Sequence, residues 1–141
     1  MIRGRRIAFD YGDVRIGVAI CDPDAILATP LTTLRTIDSK LASTIQAIFT
    51  EHEPITIYVG KPTHLDGKES QSSVKAQEFL DLLKTLTQAP IELIDERLST
   101  VSAAKNMRES GLNAKNSREF IDQAAAVAIL EFALEIEKKR L

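Results

Sequence analysis

The chain has 141 residues, of which 44% are apolar and 27% are charged. This size and composition favour one compact domain and leave no room for a second domain of comparable bulk. A single cysteine, Cys21, excludes an internal disulfide and a cysteine-based zinc site. The formal net charge of -2 argues against a strongly basic nucleic-acid coat protein.

No stretch of the sequence approaches the roughly 20 apolar residues of a membrane span. No secretory segment follows the basic N-terminus either, so we expect a cytoplasmic protein with no membrane partner. Basic residues crowd both termini, and we interpret them as solvated chain ends. They are Arg3, Arg5, Arg6, Lys138, Lys139 and Arg140.

Two antiparallel strands are predicted first. Apolar and polar side chains alternate over Arg6–Tyr11, which is the period of a half-buried strand and places Asp10 on the face opposite to Phe9. The short turn at Gly12 makes Arg15–Cys21 an antiparallel partner of this strand.

Strands and helices then alternate along the chain. A third strand lies at an edge or contains a bulge, because its Pro30 cannot donate to a ladder. The predicted elements are a strand over Ala25–Leu34, a helix capped by Asp38 or Ser39 that ends before Pro54, a strand over Ile55–Val59, a helix over Val74–Leu86, a strand over Ile91–Ile94, a helix over Thr100–Ser110 between Ser99 and Gly111, and a final helix from Asn116 to about Lys138. Right-handed crossovers make strands four and five parallel to strand one, in an α/β fold with a mixed five-stranded sheet and helices on its faces.

Acidic residues follow two of the parallel strands. In open α/β sheets ligands bind at the carboxyl ends of the strands, where Asp10, Gly60 and the pair Asp95-Glu96 are predicted to lie. Consecutive residues of an extended strand point to opposite faces, so only one of Asp95 and Glu96 enters such a site.

Asp122 is a third acidic candidate. It lies beyond the first turn of the final helix, too deep for a cap, and precedes the apolar segment Ala124–Leu130. Two interpretations stay open here. Asp122 is either a partly desolvated carboxylate that small side chains bring near the strand ends, or a solvent-facing aspartate at the helix start.

Three neighbouring carboxylates repel one another unless a cation lies between them. Hard oxygen ligands prefer Mg²⁺ or Mn²⁺, and two such ions cleave phosphodiester bonds by activating a water and stabilising the leaving oxygen. This chemistry needs no histidine or serine nucleophile, and the only histidines are His52 and His64.

Four motifs, in order and over nearly the whole chain, resemble the YqgF family, also called RuvX. They are Phe9–Ala19, Val59–Pro62, Ile94–Thr100 and Ile121–Leu130. That family is similar to the RuvC Holliday-junction resolvases and has the RNase H-like fold. The resemblance implies a single nuclease domain over residues 1–141 that trims the 5′ end of pre-16S rRNA in ribosome biogenesis, with ribosomal precursor particles as partners.

The resemblance also assigns roles to residues. Asp10, Glu96 and Asp122 correspond to the metal-binding catalytic carboxylates, with Mg²⁺ or Mn²⁺, two ions, as the cofactor. The chain departs from the family in Lys61, where leucine is usual, and in Ser99, where threonine is usual. Neither change removes a ligand, and Lys61 adds a candidate phosphate contact.

Further residues near these carboxylates are candidates for substrate binding. Gly12 either admits a phosphate or only turns the hairpin, whereas Gly17 is interpreted as structural. Arg15 and Arg97 either hold an acid in its charged form or contact a phosphate. The full set is Gly12, Arg15, Lys61, Arg97, Lys115 and Arg118, with His64 and Lys68 as weaker candidates in a polar loop over residues 63–70 that we expect to cover the substrate.

Three other functions are compatible with the sequence. Resolution of a four-way DNA junction requires two active sites and therefore a homodimer. An actin-like phosphotransferase is suggested by the Asp-Tyr-Gly run of the first strand, but such enzymes have two lobes and this chain has room for one. A non-catalytic RNA-binding or ribosome-associated module binds RNA in a salt-sensitive, metal-independent manner.

Overall fold

A computed structural model describes residues 1–61, 71–96 and 116–140. The strands are β1 (Arg6–Tyr11), β2 (Arg15–Cys21), β3 (Ala28–Arg35), β4 (Thr56–Lys61) and β5 (Ile91–Asp95). The helices in the described part are α1 (Leu41–His52), α2 (Gln71–Leu86) and α3 (Asn116–Lys139). No described helix has the length and apolar character needed to cross a membrane.

The five strands form one mixed sheet in the order β3-β2-β1-β4-β5. β2 pairs antiparallel with both β1 and β3, whereas β4 pairs parallel with β1, and β5 parallel with β4. The predicted α/β architecture is therefore confirmed, with β1 as the central strand.

The two faces of the sheet carry side chains of different size. One face packs against α1 and α2 through large side chains such as Phe9, Phe49 and Phe79. The other face packs against α3 through small ones, including Ala8 and Ala125. Small side chains allow a close approach, so α3 is held near the backbone of the central strands.

The predicted start of β3 is wrong by three residues, because Asp22 organises the chain that precedes the strand. Its carboxylate accepts hydrogen bonds from the main-chain N–H groups of Asp24, Ile26 and Leu27 at 2.7–3.0 Å. These bonds hold the pKa of Asp22 below its usual value. The predicted irregularity at Pro30 is confirmed, since the register between β2 and β3 shifts beside Ala19.

The predicted cap of α1 is also wrong. Lys40 occupies the N-cap position without a side-chain hydrogen bond. The Asp38 carboxylate instead accepts the N–H of Lys40 at 2.9 Å, which forms a turn before the helix begins. The predicted end is confirmed, because Glu53 adopts a left-handed conformation (φ 47°) and its N–H bonds to Phe49.

Arg6 is buried, which contradicts its interpretation as a solvated terminal residue. Its guanidinium donates to the carbonyls of Gly4 and Ile2 at 2.6 and 2.8 Å and to Glu137 of α3 at 2.9 Å. Glu137 also accepts a hydrogen bond from the hydroxyl of Tyr58 at 2.7 Å. We call Arg6, Tyr58 and Glu137 the buried polar cluster.

Cys21 is a buried small side chain, and burial raises the pKa of its thiol. His52 is the last residue of α1. The predicted helix over Thr100–Ser110, with Ser99 and Gly111 at its ends, lies outside the described residues, as does the loop of residues 63–70 with His64 and Lys68.

Candidate active site

Asp10 lies near the carboxyl end of β1, on the face of the sheet that α3 covers. Its partners in the neighbouring strands are Gly17 of β2 and Gly60 of β4. The residue is 5% exposed. Because neither neighbour has a side chain, the space on both sides of Asp10 is open to groups from other elements.

Gly17 brings Asp122 to this position. A Cβ atom at Gly17 would overlap the main-chain carbonyl of Asp122, so glycine is what allows α3 to lie directly on β2. Asp122 is 5% exposed. Of the two interpretations of Asp122 that the sequence left open, the structure therefore shows the desolvated carboxylate. The structural interpretation of Gly17 is confirmed as well.

Gly60 likewise leaves space for Glu96, the residue that directly follows β5. A Cβ atom at Gly60 would lie 3.0 Å from Oε1 of Glu96 and would overlap the side chain of Ile129 on α3. Oε1 of Glu96 and Oδ1 of Asp10 are both removed from solvent. Ile94, two residues earlier, packs on the α3 face, so Glu96 rather than Asp95 extends towards Asp10.

Arg15 contacts one of these acids. Its Nε donates to Oδ2 of Asp122 at 2.7 Å, with 20% of the Arg15 side chain and 8% of the Asp122 side chain exposed. This is a short charge-assisted hydrogen bond in a mostly buried setting. Of the two roles that the sequence left open for Arg15, the described contacts show the one of holding an acid.

Other predicted site residues are placed less directly. At Gly12 a Cβ atom would lie 2.6 Å from the main-chain oxygen of Arg15, so the tight hairpin itself requires glycine there. Lys61 ends β4 in register with Asp95, but its side chain lies outside the described residues. The same holds for the Arg118 side chain, and for Arg97 and Lys115 as a whole.

The residue that the sequence analysis missed on this rim is Arg35. It is the last residue of β3 and pairs with Arg15, so both lie on the α3 face. The antiparallel pairing of β2 with β3 is what places Arg35 beside Arg15. The extra residue beside Pro30 shifts the register of these two strands, so the residue opposite Arg15 cannot be counted off along the sequence.

The donor set fits a hard cation in its chemistry. Asp10, Glu96 and Asp122 offer carboxylate oxygens, the ligands that Mg²⁺ and Mn²⁺ prefer. Gly60 leaves space for the Glu96 carboxylate beside the central strand. In the part of the chain that the structure describes, no three acidic, histidine or cysteine side chains are arranged to hold a metal ion together. The metal therefore stays a prediction.

Comparison with known proteins identifies a matching family and close relatives. A family model described as "RuvX: Holliday junction resolvase" matches residues 4–136. A Streptomyces coelicolor protein named "Putative pre-16S rRNA nuclease" is 47% identical over 98% of this chain and 84% of its own length. The Streptomyces avermitilis protein of the same name is 46% identical over 98% of this chain and 90% of its own length.

Solved structures resemble the fold at low sequence identity. RuvC of T. thermophilus in complex with a Holliday junction substrate superposes with a TM-score of 0.64 at 15% identity, covering 95% of this chain and 96% of that one. The yeast mitochondrial Holliday junction resolvase Ydc2 gives a TM-score of 0.54 at 10% identity, covering 98% and 81%.

The sheet order and the position of α3 thus define a protein with the RuvC-like, RNase H-like fold. Within that class, the match of the family model over residues 4–136 and the relatives above 45% identity decide the family. The chain belongs to the RuvX family.

Proposed function

We propose that this protein is a divalent-metal-dependent nuclease that hydrolyses phosphodiester bonds and processes the 5′ end of pre-16S rRNA. The observation that supports this most is that Gly17 and Gly60 flank Asp10 in the sheet, with the Asp122 main chain over Gly17 and the Glu96 carboxylate beside Gly60. The name shared by the Streptomyces relatives supports pre-16S rRNA as the substrate. We further propose ribosomal precursor particles in the cytoplasm as the setting.

Mg²⁺ or Mn²⁺, as two ions, would be held by Asp10, Glu96 and Asp122. When bound, such ions activate a water for attack on the phosphodiester and stabilise the leaving oxygen. Each ligand comes from a different element, and two of them are nine-tenths or more buried. Rigid elements and burial keep the carboxylates in place before substrate arrives.

Arg15 has a positioning role in this proposal. Its hydrogen bond to Oδ2 holds the Asp122 carboxylate, and its charge offsets part of the repulsion among three acids. Because Arg15 lies on β2 and Asp122 on α3, the bond also fixes the helix relative to the strand.

The variant Asp10→Asn tests this proposal. It preserves shape and removes one anionic ligand, so we expect cleavage of a pre-16S leader RNA in Mg²⁺ or Mn²⁺ to be abolished while the circular dichroism spectrum is unchanged. The matched control is Asp24→Asn, which removes an exposed carboxylate bonded to Arg3 at 3.0 Å and is expected to cleave normally. Undiminished cleavage by Asp10→Asn would refute the mechanism.

Resolution of Holliday junctions is the second candidate, favoured by the description of the family model and by the likeness to RuvC. Symmetric nicking of a junction needs two active sites, so this function predicts a homodimer. Cleavage of a four-way DNA junction, measured with the solution mass at the same concentration, decides between the candidates. A monomer that cuts the leader RNA and leaves the junction intact excludes the resolvase.

A non-catalytic RNA-binding module is the remaining outcome. It would bind the leader RNA equally well in EDTA and after Glu96→Gln, and would cleave it under neither condition. Family membership gives the phosphotransferase alternative no support.

A further inference from the structure

Arg35 stands out as a cation with no assigned role. It ends β3 directly opposite Arg15, and side chains opposite each other in an antiparallel pair lie on the same face at about 5 Å between Cα atoms. Like charges in this arrangement destabilise a sheet. The pair is tolerated because Arg15 is neutralised by Asp122.

The charge of Arg35 is not used inside the described structure. Its side chain is exposed, and among the residues that the structure describes it forms no ion pair. Among the described residues around Arg35, Asp13 and Glu119 are exposed acids and Asp122 is a buried one. A polyanion that approaches from the β3 side meets these carboxylates, and Arg35 is an exposed cation on the same side.

The backbone that carries Arg35 is fixed relative to the candidate active site. Thr36, the next residue, donates its N–H to the carbonyl of Val14 at 3.0 Å and its hydroxyl to the carbonyl of Gly12 at 2.7 Å. One residue before Arg35 the strand is buried at Leu34. The end of β3 is thus tied to the hairpin that follows Asp10.

The side chains next to Arg35 suit a nucleic-acid strand. Val14 and Ile37 are 57% and 91% exposed, and they lie close to the Arg15–Arg35 pair along the backbone, one residue before Arg15 and two residues after Arg35. Phosphate contacts by arginine position a strand, while sugars and bases pack against apolar neighbours.

We propose that Arg35 binds a backbone phosphate of the substrate RNA strand, next to the phosphate that is cleaved, and so guides the strand across the β2–β3 side of the site. This inference rests on the proposed function in taking RNA as the substrate. The contact itself needs no metal ion and no turnover.

The test measures equilibrium binding of a labelled single-stranded RNA in EDTA over a series of low salt concentrations. Loss of one phosphate contact lowers the salt dependence of binding by about 0.7 in the slope of log K against log salt concentration. We expect this change, with weaker binding, for Arg35→Ala, and a slope close to wild type for Arg35→Lys, which keeps the charge.

Lys84→Ala is the matched control. Lys84 is an exposed cation in the last turn of α2, on the opposite face of the sheet, and its removal is expected to leave the slope unchanged. Thermal unfolding of Arg35→Ala should match or exceed wild type, since the variant removes a like charge opposite Arg15.

The inference would be overturned if Arg35→Ala kept the wild-type slope, or if Lys84→Ala changed the slope as much as Arg35→Ala does. It would also be overturned if the wild-type protein did not bind the RNA at the lowest salt concentration. Failure of the proposed function looks different, since wild-type protein would then bind this RNA and leave it uncut in Mg²⁺ and in Mn²⁺.

Discussion

At the scale of single residues, the candidate site combines acids that repel one another with an arginine that holds one of them. Asp10 and Asp122 are both nearly inaccessible to solvent, where an ionised carboxylate is costly unless it is hydrogen-bonded. The 2.7 Å bond from Arg15 supplies such a partner to Asp122. Stability and site geometry therefore depend on the same contact.

Arg15→Ala is expected to lower the free energy of unfolding by about 2 kcal/mol, because it deprives a buried carboxylate of a charged hydrogen bond. Urea denaturation measures this. Arg3→Ala, which breaks an exposed ion pair with Asp24, should change stability little. In the Asp122→Asn variant, Arg15→Ala should lower the free energy of unfolding by less, since the carboxylate charge that Arg15 neutralises has been removed. Equal costs on both backgrounds would contradict the role given to Arg15.

Local rules in the sequence point to two of the three acids. Strand alternation placed Asp10 opposite Phe9, and depth within the final helix made Asp122 a candidate, with its desolvation left open. The choice of Glu96 over Asp95 came from the family resemblance. The position of Arg35 was not predictable, because it depends on the pairing of β2 with β3 across a bulge. A hydrophobic period within one strand carries no information on that pairing.

At the scale of elements, the closeness of α3 to the sheet determines whether the site forms at all. The helix carries Asp122 on its buried side, and two glycines in the strands below make room for the helix and for Glu96. A displacement of α3 therefore moves a carboxylate away from Asp10.

Gly17→Ala tests this packing. The new methyl group would meet the backbone of α3, which cannot rotate away as a side chain can, so we expect a loss of at least about 2 kcal/mol in the free energy of unfolding and loss of cleavage. Gly4→Ala is the control, because its methyl group would meet the movable Ile55 side chain at 2.6 Å. Similar urea midpoints for the two variants would show that α3 has room to shift.

In the described ranges, the types and order of the elements followed from hydrophobic periods, whereas their boundaries depended on polar side chains near the ends. The predicted start of β3 failed because the Asp22 carboxylate collects three N–H groups before the strand begins. The predicted cap of α1 failed because Asp38 forms a turn with Lys40. Both are local hydrogen bonds from a side chain to the main chain, and the sequence does not show which of the possible bonds of this kind will form.

At the scale of the whole molecule, the buried polar cluster ties the first strand to the last helix on the same face of the sheet as the site, at the opposite end of β1. Arg6 was expected in solvent because its neighbours in sequence are basic. Its partner Glu137 is 131 positions away, so the sequence contained no local sign of the pair.

This cluster makes the fold sensitive to alkaline pH. Burial, followed by the hydrogen bond to Glu137, raises the pKa of Tyr58 above its usual value. Below about pH 10 tyrosine is protonated in both the folded and the unfolded state. Above that pH the unfolded chain loses the proton while the folded chain keeps it, so stability falls as the pH rises.

We therefore expect the urea midpoint of wild type to fall faster between about pH 10 and 11.5 than that of Tyr58→Phe, with a difference approaching about 1.4 kcal/mol per pH unit in unfolding free energy. At pH 7 the variant should be less stable by about 1 kcal/mol, because the hydrogen bond to Glu137 is lost. Parallel curves for the two proteins across the alkaline range would contradict the assignment.

The link between Arg6 and Glu137 also has a consequence for how the protein is made. A ribosome releases β1 early, yet the carboxylate that neutralises Arg6 emerges only 131 residues later. Until then the nascent chain must keep a guanidinium hydrated at the centre of its future sheet, with the apolar faces of β1 uncovered. The Arg6–Glu137 contact therefore forms only after translation has passed Glu137, and the apolar faces of β1 stay uncovered for that interval.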